Sequence, residues 1–101
     1  MGAIETMLQE ARTLLEAIEQ ENSEAIEAAH SRFLEAVERA WARYQRGEIT
    51  TAVRGLPRAM YLWVKEDLPH QLRNPDRWAE ARRELAQFIR TVEHVVEPQE
   101  G

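Results

Sequence analysis

GLPRAMYLWVKEDLP, residues 55–69, contains six apolar residues in a row: Ala59, Met60, Tyr61, Leu62, Trp63 and Val64. An amphipathic surface helix is apolar along one stripe, whereas a helix through this run is apolar around its whole circumference. A strand is the competing reading for residues 60–64, because Tyr, Trp and Val favour sheets. No second strand pattern exists in the chain to pair with it, so the run reads as a helix. Gly55 and Pro57 bound it in front and Pro69 behind. That predicts a helix over residues 57–68, followed by a loop over 70–74.

The flanking segments are ordinary amphipathic helices. Over residues 3–21, Ile4, Met7, Leu8, Ala11, Leu14, Leu15 and Ile18 recur every three or four positions, which makes one apolar stripe. Asn22-Ser23 is a break, with Ser23 placed to cap the next helix. Over residues 24–46 the seam is Ile26, His30, Phe33, Val37, Ala40 and Tyr44, with a thinner stripe at Leu34 and Trp41. Arg32, Arg39, Arg43 and Arg46 stand on its far side among Glu35 and Glu38, and Glu35–Arg39 is an i,i+4 pair. Gly47 is a C-terminal stop. Residues 49–54 read as a short helical turn. Asn74-Pro75-Asp76 is a strong start signal, with Asn at the cap and Pro at the first helical position. From there Trp78, Ala81, Leu85, Phe88, Val92 and Val95 form the seam of a helix over residues 75–96. The expected fold is all-α: an antiparallel four-helix bundle, or something close to it, over residues 1–97 with a polar tail at 98–101.

Size and composition close several other routes. A chain of 101 residues fits one domain with a modest core. Cysteine is absent, which removes disulfides, thiolate metal sites and cysteine nucleophiles and fits a cytoplasmic protein. No apolar run approaches the roughly 20 residues that span a bilayer, and the acidic, amphipathic start is not a secretory signal. Net charge is −5, unevenly spread. Residues 1–28 hold seven Glu against Arg12, whereas Arg54, Arg58 and Lys65 stand without an acid in residues 51–65. Pairing of those two regions is the plain expectation.

Catalytic motifs are lacking. Only four glycines are present, with no phosphate-binding loop among them. Ser31 adjoins His30, but sequence neighbours point about 100° apart on a helix and make no nucleophile–base pair. The expectation is a protein without enzyme activity. Glu27-Ala28-Ala29-His30 places a Glu and a His on one helix face, as metal ligation requires. This segment resembles in spacing the repeated E-x-x-H motif of the ferritin-like di-iron carboxylate bundles. The resemblance implies iron or another divalent metal on Glu27 and His30, completed across a dimer because the chain has one such motif. Otherwise no cofactor is expected, and His30 is a core residue. Arg54, Arg58 and Arg77, near the ends of the hairpin formed by the third and fourth helices, are candidates for anion or nucleic-acid binding. The net acidic charge argues against nucleic acid.

Association remains as the leading expectation. A four-helix monomer of this length buries one stripe per helix, and the third helix offers more. With the Leu34/Trp41 edge it would leave an apolar patch of the kind that marks interaction sites. The expected interface residues are Leu34, Trp41, Tyr61, Leu62 and Trp63. The partner is a second copy, a dimer being favoured, or a helix of another protein.

Overall fold

The computed structural model describes residues 2–52 and 55–96, which form an all-α bundle. Helix α1 spans Ala3–Glu19 and α2 Ser23–Gln45. Helix α3 covers Leu56–Leu62, a π-helical turn Trp63–Asp67, and α4 Leu68–Arg73, as one uninterrupted rod. A 3-10 turn, Pro75–Arg77, leads into α5, Trp78–Val95. The tail residues 98–101 lie outside the described residues.

The predicted seams are the core. Met7, Ala11, Leu14 and Ile18 of α1 meet Ile26, Phe33, Val37 and Ala40 of α2, with Ala81, Leu85, Phe88 and Val92 of α5 closing the third side. Ala17, Ala29 and Ala36 are buried as well, and their small side chains let the helices approach. At the centre Phe33 meets Phe88 edge to face, ring centroids 5.5 Å apart. Helices α1 and α2 are antiparallel neighbours joined by a tight link in which Glu21 takes a left-handed φ of 53°.

The connections differ from expectation in three places. Asn22, not Ser23, caps α2: its side-chain oxygen accepts from the Ala25 N–H at 3.1 Å, and Ser23 is already helical. Residues 49–52 make no helical turn. Thr51 pairs in an antiparallel bridge with Val96, and the Ala52 N–H donates to the Val95 carbonyl at 2.8 Å. The adjacent β-branched Thr50 and Thr51 favour that extended course. Gly47 and Gly55 bracket the link with φ of 77° and 83°, conformations that L side chains rarely adopt.

The third difference concerns Pro69. The helix does not stop before it, and residues 70–73 are helical rather than a loop. A proline inside an α-helix removes one N–H and drives its ring against the carbonyl four residues back. Here the π turn ends just ahead of the ring, with the Leu68 N–H returned to the Trp63 carbonyl. The wider turn makes room for the ring, and the rod continues. Trp78 then fastens the hairpin through its indole N–H, which donates to the Leu72 carbonyl at 2.9 Å.

Candidate functional site

The apolar run is not left open all round. Val64 and Leu68 are fully buried, while Met60, Tyr61 and Trp63 are partly buried against the core. Leu62, 40% exposed, is the large apolar side chain that points to solvent among the described residues. Trp63 turns inward. Its ring stacks on Phe88 at 5.7 Å, and its indole N–H is buried without a hydrogen-bond partner. Leu34 is half-buried on the core's margin.

Trp41 and Tyr61 form the other half of the expected surface, and they meet each other. Their ring centroids lie 4.5 Å apart with the rings nearly parallel, and Tyr44 also stacks on Trp41, at 5.4 Å. Tyr61 is held from its far end, where its hydroxyl donates to both Glu38 oxygens at 2.9 and 3.1 Å. Lys65 joins the same carboxylate at 2.8 Å and lies 5.9 Å from the centre of the Tyr61 ring. The hydrogen bond from Lys65 holds the Glu38 carboxyl below the usual range. The bond to Glu38 raises the Tyr61 phenol and the Lys65 ammonium above theirs. Two side chains of α3 and the π turn are thereby fixed to α2.

Beside this aromatic group is a small cleft, open to solvent at its mouth. It sits where α1 begins and where α2 and α5 finish. Ile4 and Met7 line it from α1, Trp41 and Tyr44 from α2, Met60 and Tyr61 from α3, and Phe88, Val92 and Val95 from α5. Ile49 and Thr51 close its floor. The walls are almost wholly apolar, so the cleft can receive an aliphatic or aromatic group and offers little to a charged one.

The other candidate residues are dispersed. Glu27 is exposed, and the described residues bring no three His, Asp or Glu side chains together as a metal site would need. His30 is half-buried, and its Nε2 has no hydrogen-bond partner. Burial first, and then the nearby Arg73 guanidinium, push its pKa below the ordinary value. A cation beside the imidazole opposes a metal ion as it opposes a proton. Arg54 lies outside the described residues. Arg58 is exposed near the start of α3, while Arg77 is bonded to Glu80 at 3.0 Å, beyond the far end of the rod. The rod between them is roughly 20 Å long at helical rise, so those arginines do not share a site.

Among the described residues, the ion pairs of α1 and of the basic segment lead elsewhere than to each other. Glu10 of α1 meets Arg32 of α2, and Lys65 meets Glu38. Gln71, which the sequence did not single out, is buried in α4, with its amide N–H directed at Glu84 and, at 3.4 Å, Glu80. No helix among the described residues is long and apolar enough to cross a membrane. Comparison with known proteins finds no matching family model, no similar curated protein and no similar solved structure.

Proposed function

We propose that the protein acts by association, with a partner inserting an apolar side chain into the cleft beside Trp41 and Tyr61. The observation that carries this reading is the cleft itself: an apolar recess open at the surface, with exposed Leu62 next in α3 after Met60 and Tyr61 of its wall. A recess and a projecting leucine on one molecule are the two halves of a self-complementary contact, so a second copy related by two-fold symmetry is the partner proposed. The aromatic wall is suited to this because the Glu38 carboxylate already fixes Tyr61. Less side-chain entropy is then lost on binding. The protein is read as a non-enzymatic, cytoplasmic homodimer, in keeping with its cysteine-free composition.

Sedimentation of the full chain at micromolar concentration tests the proposal. Wild type should sediment as a dimer, and Leu62→Glu as a folded monomer, because Leu62 lies outside the core. A wild-type monomer at every accessible concentration, or a dimer indifferent to Leu62→Glu, would refute it.

A further inference from the structure

A second recess lies on another face of the same end of the bundle, and its chemistry is the opposite. Arg39, Arg43 and Arg46 of α2 line a polar cleft, floored by Ala36 and walled by Ala3 and Thr6 of the first turn of α1. Spacings of four and three residues put the three guanidiniums on one helix face. Among the described residues their carboxylate partners are two, one distant and one close. Glu35 stands 3.8 Å from Arg39, with both side chains more than two-thirds exposed. Glu48 holds Arg46 through one guanidinium nitrogen. Arg43 has no carboxylate partner among the described residues. Glu5, in the first turn of α1, is exposed.

We infer that this cleft binds a phosphate-class dianion. Each guanidinium offers parallel N–H groups matched to the oxygens of a tetrahedral oxyanion, and three cations face two carboxylates, with Arg43 unpaired among the described residues. The opposite wall adds to the attraction. Helix α1 starts at Ala3, in that wall, and its Gly2 cap makes no side-chain hydrogen bond, so the positive end of the helix dipole lies at the cleft. The negative end of α2 accounts for a cation in its last turn, which is Arg43. It does not account for Arg39, a turn earlier on the same face. Alanines at Ala3 and Ala36 leave the room that an anion with several oxygens needs.

The dianion can belong to a soluble phosphorylated compound or to a lipid headgroup, and two titrations separate these sources. Inorganic pyrophosphate is titrated calorimetrically into the full chain at low ionic strength. Vesicles of neutral lipid, with and without phosphatidic acid, are tested by co-sedimentation. Arg43→Gln should weaken binding about tenfold in whichever arm is positive, and the triple Arg39→Gln/Arg43→Gln/Arg46→Gln variant should abolish it. Circular dichroism should show both variants folded, since all three side chains are on the surface of α2. Pyrophosphate binding that depends on Arg43 supports the soluble source, and vesicle binding alone with that dependence supports the headgroup. Binding in neither arm overturns the inference. So does equal weakening by Arg82→Gln/Arg83→Gln, two exposed arginines on α5 outside the cleft, because binding would then follow total charge rather than the site.

Discussion

Trp63 separates a core role from an interface role at one position. Its ring stacks on Phe88, which in turn meets Phe33, so truncation to alanine strikes the centre of the bundle. A fully buried aromatic cut to alanine costs about 3–5 kcal/mol. Trp63 is only partly buried, which lowers that figure, and alanine also removes an indole N–H buried without a partner. An orphaned donor of this kind costs about 1–3 kcal/mol where it stands, so its removal offsets part of the loss. Trp63→Ala should therefore destabilise by about 2–3 kcal/mol. Trp63→Phe keeps a ring against Phe88 and discards the orphan, and should fall within about 1 kcal/mol of wild type. Urea unfolding followed by far-ultraviolet circular dichroism measures both, because that signal does not depend on the indole. Thermal midpoints should fall by roughly 4–8 °C per kcal/mol in a domain of this size. A Trp63→Ala protein as stable as wild type but unable to dimerise would show that the indole faces a partner.

Two further perturbations test the contacts of α2. Tyr61→Phe removes the hydroxyl bonds to Glu38 but keeps the stack on Trp41, so it should cost about 1 kcal/mol and preserve the near-ultraviolet signal of the stacked pair. Loss of that signal would mean that the hydroxyl, rather than the rings, holds the two helices together. His30 gives a pH dependence. Its pKa lies below the ordinary 6.5 in the folded chain, so the unfolded chain takes up the proton first as pH falls. The stability that neutral His30 contributes is complete above the unfolded value and is lost as pH drops from there towards the folded one. His30→Gln should narrow the difference in thermal midpoint between pH about 7.5 and about 5; an unchanged difference would place the acid sensitivity elsewhere.

The seams of α1, α2 and α5 were legible because large apolar residues at helical spacing have few other places to go. Asn74 and Gly47 were legible because their local chemistry works without tertiary support: Asn74 accepts from the Asp76 N–H, and Gly47 takes a positive φ. Pro69 was misread for a corresponding reason. Local rules treat an interior proline as a stop, while the π turn that accommodates it is sustained by burial of Val64 and Leu68 on either side. Trp63 belonged by composition to an apolar run expected at an interface, and only the packing of α5 shows that it turns inward. The four-helix reading was sound, but two surface sites depended on pairings that no local pattern encodes. The arginine face of α2 was visible as a stripe, whereas its position opposite the first turn of α1 was not. The apolar cleft likewise needs residues from the start, the middle and the end of the chain.

The π turn also sets an angular phase. One residue more than a regular turn displaces everything before it by about 100° around the axis relative to everything after it. Residues 56–62 therefore address the end of α2, where Tyr61 finds Trp41, while residues 68–73 address α5, where Gln71 finds Glu84. A single continuous rod thus serves two neighbours. Deleting any one residue of the turn would bring the halves into a common phase and exchange Leu62 for one of its buried neighbours at the surface. The exposure of Leu62 and the meeting of Tyr61 with Trp41 both belong to the phase that the turn sets.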